Sequence, residues 1–193
     1  MSVSFNTILK DVTSLLNKEL PMYLSYHNTA HTLYVLDRAI HIAKKEKVNS
    51  KDLELIKLAA LYHDIGFIKT NVEHEKEGCK IAEKQLLDYG YAREDIAVVC
   101  GMIMATKIPQ NPKNLLEQII ADADLEYLAT SNYQKIAHNL FLELQQYNPR
   151  LTTQKWKTIQ LNFLKEHHYY TKYCRHYKTF RKLKNIKQLK RML

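Results

Sequence analysis

The sequence predicts a single all-α domain on two observations. Its 193 residues include only four glycines and four prolines while Leu, Ala, Glu, Lys and Gln are plentiful, which favours long helices over many-turned sheets. Apolar residues also recur at helical spacing along the chain. A chain this long closes a sizeable core without disulfides, and one domain over 1–193 is the natural expectation.

Residues 4–18 read as a first amphipathic helix through Phe5, Ile8, Leu9, Val12, Leu15 and Leu16, ended by Pro21. A second starts near Thr29 and runs through Leu33, Leu36, Ile40 and Ala43, with His27, Asn28 and His31 at its N-terminal turn. The third, from about Asp52, is apolar almost all round from Ile56 to Tyr62, the mark of a buried central helix, and ends at His63-Asp64-Ile65-Gly66. Two more cover 73–88, stopped by Gly90, and Arg93–Ala105, stopped by the loop of Pro109 and Pro112. Leu115–Leu128 holds Asp122 and Asp124 in apolar company, and Asn132–Tyr147 and Thr153–Tyr170 complete the body.

Several function classes are disfavoured. Cys79, Cys100 and Cys174 are odd in number and widely spaced, against a disulfide scaffold or a thiolate zinc site and in keeping with a reducing, cytoplasmic setting. Lys10 and Asp11 interrupt the first apolar pattern, so no signal peptide is expected, and no stretch is long enough to span a bilayer. There is no Gly-rich phosphate loop, so binding chemistry must come from side chains. The net charge of +9 is concentrated beyond Glu166: nine cations within the basic tail, 172–193, leave residues 1–171 balanced. That tail interleaves cations with Tyr173, Tyr177 and Phe180, a pattern open to nucleic acid. Leu183, Ile186, Leu189 and Leu193 recur at helical spacing, which favours a helix packed on the body instead.

The informative series is His31, the adjacent pair His63-Asp64, and then Asp124, each at a helix end or in apolar surroundings. A buried carboxylate needs a partner, and a divalent cation is an economical one. Two imidazoles and two carboxylates suit manganese, iron, cobalt, nickel or zinc, with magnesium less suited to the imidazoles. Such an ion lowers the pKa of a bound water and polarises a phosphoryl oxygen, so hydrolysis of a phosphate ester is the natural output.

The H…HD…D series resembles that of the HD-domain metal-dependent phosphohydrolases. Tyr26-His27-Asn28-Thr29-Ala30-His31 resembles the Y-H-N-x-x-H segment of the cyclic nucleotide phosphodiesterase branch, and Leu61–Gly66 resembles the apolar run into H-D-I-G. Ile120–Leu125 resembles the segment supplying the last ligand, whose register selects Asp124, with Asp122 one residue away as the alternative. The resemblance covers about 20–130 and implies an HD-domain helical bundle. It implies metal ligands His31, His63, Asp64 and Asp124, with Asp64 also a catalytic group and His27 the general acid on the leaving oxygen. The chain is shorter than that branch's catalytic domain, which holds most of its substrate pocket.

The substrate implied is a small phosphate mono- or diester, a nucleotide or cyclic nucleotide foremost. Asn28, His74, Glu75 and Lys107 are candidates for contacting it. His74 could instead hold a second ion, giving a dinuclear site, or, set in the charged run Glu73–Glu77, lie on a solvated helix face. Asp122 or Glu75 could orient the water. Gln160 and Phe163 resemble, weakly, the pair that holds the base in cyclic nucleotide phosphodiesterases. Two other classes stand beside the hydrolase: a non-catalytic HD module that senses a nucleotide or scaffolds a partner, and a di-iron HD oxygenase, which needs histidines beyond the basic set.

Overall fold

A computed structural model describes residues 3–192, and all regular structure among them is helical. Helix α1 (Phe5–Glu19) starts at Ser4, whose hydroxyl accepts the Thr7 N–H, and buries Ile8, Val12 and Leu16. Asn28 caps α2 (Thr29–Lys45), accepting the N–H groups of Ala30 and His31 on its side-chain oxygen. Helix α3 (Ser50–Tyr62) buries Leu55, Ile56 and the unbroken run Leu58–Tyr62. Helices α4 (His74–Asp88), α5 (Arg93–Ala105) and α6 (Leu115–Asp124) follow, and α3 packs against α1, α2, α4, α5 and α6. Ile56, Leu58 and Leu61 are wholly enclosed there, each contributing about 1.5–3 kcal/mol through burial.

Beyond α6 a second core forms. Helices α7 (Tyr133–Tyr147), α8 (Thr153–Glu166), the short α9 (Lys172–Tyr177) and α10 (Thr179–Lys190) follow a 3-10 turn at Glu126–Ala129. Leu128, Tyr133, Leu164, Ile186 and Leu189 meet in this core, joined by Tyr26 and Leu125 from beside the metal-ligand candidates.

Two helices are shorter than the sequence suggests, for the same reason. The predicted Leu115–Leu128 helix breaks after Asp124 because Glu126 turns inward, its carboxylate taking the buried Lys178 ammonium and the Tyr34 hydroxyl. The predicted Thr153–Tyr170 helix ends at Glu166 because the chain turns extended at His167. From there the N–H groups of Tyr170 and Thr171 donate to the wholly buried Asp122. The basic tail is thereby part of the body. Its Ile186 and Leu189 are buried and Asn185 donates to the carbonyls of Leu128 and Thr130, while Tyr177, Phe180 and Leu183 face solvent. Leu193, expected on the same stripe, lies outside the described residues. No helix among the described residues is long and apolar enough to cross a membrane.

Glycine is required where the chain leaves α3. A Cβ on Gly66 would stand 1.9 Å from the carbonyl oxygen of His74 and 2.8 Å from the amide nitrogen of Gly78, so only glycine lets the 3-10 turn Ile65–Ile68 lie against the start of α4. Gly101, within α5, has no such constraint, since a Cβ there meets only Glu117 Oε1 at 3.5 Å. Denaturant unfolding should therefore give opposite signs. Gly66→Ala is expected to cost about 2–4 kcal/mol, and Gly101→Ala to gain about 0.5–1 kcal/mol through helix propensity.

Candidate metal centre and its cavity

Four elements deliver the predicted ligands to one point. His31 lies in the first turn of α2, His63 ends α3, Asp64 starts the following 3-10 turn, and Asp124 ends α6. Single ligand atoms of His31, His63 and Asp124 lie within 4.8 Å of one another. Asp64 joins them: its Oδ2 is 3.1 Å from His63 Nε2 and 3.3 Å from His31 Nε2. Asp124 Oδ1 is 3.2 Å from His31 Nε2, and the two Nε2 atoms are 3.3 Å apart.

The protonation pattern explains why this grouping suits a cation. His63 Nδ1 lies 2.9 Å from the Ala60 carbonyl, which can only accept, so Nδ1 carries a hydrogen and Nε2 is the nitrogen turned toward the other ligand candidates. Asp64 Oδ2 is buried with no hydrogen-bond partner among the described residues. Burial disfavours the His31 imidazolium, but Asp124 and Asp64 outweigh it and push its pKa up to about 9. Burial also opposes ionisation of Asp64, yet the surrounding His63, His27 and His31 hold its carboxyl well below the usual range. A proton does here the work for which a divalent ion is better suited. Donors about 2.0–2.2 Å from one ion sit about 3 Å apart when neighbouring bonds are near perpendicular, close to the separations found, so the residues fit such an ion.

Asp122, the alternative ligand, is engaged elsewhere. Its carboxylate accepts Thr171 Oγ1 as well as the two backbone N–H groups, so it neither binds the centre nor orients water. Burial raises its pKa against those hydrogen bonds. Asn28 is likewise engaged as a cap, its amide donating to Leu24 and Ser25, and it does not line the central cavity.

His74 and Glu75 turn inward, so His74 does not lie on a solvated face. The approach permitted by Gly66 sets the start of α4 against the centre, where His74 Nε2 is 3.5 Å from Asp64 Oδ1 and Glu75 is buried beside it. Burial lowers and Asp64 raises the His74 pKa, with a net rise. Phe67 lies between the rings of His27 and His74, stacked at centroid distances of 4.2 and 4.0 Å. Lys107 is half-exposed at the cavity edge and 3.3 Å from Glu73.

The cavity holds about 510 Å³. Asp64, Asp124, His27, His74 and Glu75 line it, as do the apolar side chains of Leu140, Leu144, Trp156 and Phe163, with Gln160 among them. Both members of the weakly indicated pair, Gln160 and Phe163, thus line it.

Glu143 is the functional residue that sequence reasoning missed. Its carboxylate holds His27 three ways, accepting the Tyr26 and His27 N–H groups at 2.8 and 3.0 Å and pairing with His27 Nδ1. The signal was present: Glu143 continues the Ile136, Leu140 stripe at the next i+3 step, a carboxylate where the periodicity calls for an apolar side chain. Burial raises the Glu143 pKa, but His27 and the backbone N–H groups outweigh it and leave it below its ordinary 4.5. A depressed carboxylate stabilises the fold above its unfolded pKa and loses that contribution as pH falls through the folded value. Unfolding free energy measured against pH should thus fall more steeply for wild type than for Glu143→Gln below about pH 4.5. Curves that stay parallel would contradict the pairing.

Comparisons with known proteins agree with this geometry. The HD domain family model matches residues 29–126, just over half of the chain. The crystal structure of a predicted HD superfamily hydrolase from an uncultured Thermotogales bacterium is similar over 98% of this chain and 97% of its own, with TM-score 0.65 and 20% identity. Bacillus subtilis YpgQ in complex with ADP is similar over 97% of this chain and 94% of its own, with TM-score 0.66 and 21% identity. Another YpgQ crystal structure gives TM-score 0.66 over the same shares at 19% identity. A search of curated proteins found no match. The structural likenesses speak for the fold; the family model spans all four ligand candidates, and on it this chain belongs to the HD domain family.

Proposed function

We propose that the protein is a metal-dependent phosphohydrolase that cleaves a nucleotide or cyclic-nucleotide phosphate ester. The observation that carries this reading is the buried cluster itself: Asp64 Oδ2 lies 3.1 and 3.3 Å from two imidazole nitrogens without a well-formed hydrogen bond, and Asp64 and Asp124 both line a cavity of about 510 Å³. A divalent ion held by His31, His63, Asp64 and Asp124 would acidify a coordinated water and withdraw charge from the phosphoryl group. His74, opposite the other oxygen of Asp64, supports a second ion in the same site.

The chain's own groups divide the remaining work. Glu143 fixes the His27 ring through Nδ1, leaving Nε2 without a protein partner among the described residues and able to carry a proton toward the substrate. As water adds to phosphorus and the ester P–O bond breaks, the leaving oxygen takes that proton. Trp156 and Phe163 offer aromatic faces to a base, and Gln160 an amide for its edge. Lys107 would meet a phosphate at the rim once drawn from Glu73. The ADP complex of the structurally similar YpgQ supports a nucleotide.

Turnover of nucleotides and aryl phosphodiesters with manganese, with and without chelator, tests the reading. Wild type is expected to hydrolyse at least one ester, and Asp124→Ala to lose that activity while remaining folded. Asp122→Ala should instead be destabilised by about 1–3 kcal/mol for each buried donor left unpaired. His27→Ala should lower kcat by about 10²–10⁴-fold on a nucleoside ester and far less on a nitrophenyl ester, whose leaving group needs no proton. No turnover of any ester with manganese, iron, cobalt, nickel, zinc or magnesium would overturn the proposal and favour a sensing module.

A further inference from the structure

A second cavity of about 610 Å³ lies on the other side of the second core, between the end of α8 and the α9–α10 tail. Lys165, His167, His168, Arg175 and Lys182 line it, and no carboxylate does. Lys182 is buried, only 5% exposed, and its ammonium donates to the His167 carbonyl with His167 Nδ1 at 3.3 Å. Lys178, one turn earlier and also buried, is neutralised by Glu126. Lys182 has no carboxylate partner among the described residues. An enclosed cation without a counter-charge is unfavourable and is rarely retained without an anion to meet it.

We propose that this cavity binds a small phosphate-bearing anion, independently of the metal centre. Lys182 supplies the enclosed charge, and Arg175 and Lys165 close over the anion from the exposed rim. Leu164, Leu183 and Ile186 are the apolar side chains beside it, Leu183 at the solvent edge, where the organic part of a phosphate ester would lie. Burial and the neighbouring Lys182 push the His167 pKa down to about 3, so its ring is neutral; its Nε2 is enclosed and without a partner among the described residues. Burial lowers the Lys182 pKa as well, a penalty that an arriving anion reverses. The walls reach the metal-ligand segment: the Tyr169 hydroxyl donates to the Leu125 carbonyl, and the Tyr170 N–H to Asp122.

Thermal unfolding of the full chain in chelator, with inorganic pyrophosphate or ADP as the probe, tests this. About 5 mM pyrophosphate should raise the wild-type Tm by about 3 °C or more, and Lys182→Met should abolish the shift. Arg175→Gln, an exposed change that leaves the fold intact, should reduce it even if Lys182→Met does not fold. ADP shifting the Tm further than pyrophosphate, in a Lys182-dependent way, would assign the apolar side chains to an organic phosphate; equal shifts would assign the site to the inorganic anion. Lys187→Gln, with the same charge loss outside the cavity, and Lys107→Gln, at the metal-centre cavity, should both keep the shift. Equal loss in Lys187→Gln would mean general screening of a basic chain, loss in Lys107→Gln but not Lys182→Met would place the anion at the metal centre, and a shift produced by an oligonucleotide alone would make the tail a nucleic-acid surface. Each of these would overturn the proposal, as would no shift in wild type.

Discussion

Two carboxylates and two imidazole nitrogens point their lone pairs at one another inside a helical bundle, and the rest of the molecule is arranged around that unfavourable meeting. Each carboxylate lies 3.1–3.8 Å from both imidazole nitrogens, which are 3.3 Å apart, and left alone such acceptors repel. The protein partly answers with a proton, which is why His31 holds one up to about pH 9. A doubly charged ion answers more completely, because it satisfies every lone pair at once without a hydrogen of its own to place.

Holding the acceptors together requires a rigid frame. Helix α3 supplies it by burying nearly every side chain of its last two turns, so that His63 and Asp64 emerge at a fixed place at its end. Gly66 lets the following turn lie against α4, which brings His74 and Glu75 inward. Glu143, from the second core, ties down the segment leading into α2 through three hydrogen bonds and so orients His27 while bringing the two cores together. The Glu126–Lys178 pair and the hydrogen bonds on Asp122 fasten the C-terminal segment to the end of α6 on either side of Asp124.

What was legible in the sequence follows from this arrangement. Isolated polar residues at the ends of apolar helices stand out, so His31, His63, Asp64 and Asp124 were visible by type and order, and helices that stop at proline or glycine were bounded closely, Arg93–Ala105 among them. Long-range contacts leave no local trace. The break after Asp124 depends on Lys178, more than fifty residues away, and the end of α8 depends on Asp122. His74 and Glu75 sit in a charged run, and only the clearance at Gly66 shows that they face inward. Glu143 interrupts the apolar stripe of its own helix, yet the partner that explains it lies on another helix's approach, 116 residues earlier in the chain.

The most direct test of the central claim is an anomalous-difference map at the manganese absorption edge, from crystals grown with that ion. One peak within bonding distance of His31 Nε2, His63 Nε2, Asp64 and Asp124 is expected, and a second beside His74 would mark a dinuclear centre. A map with no peak among these four side chains would contradict the account.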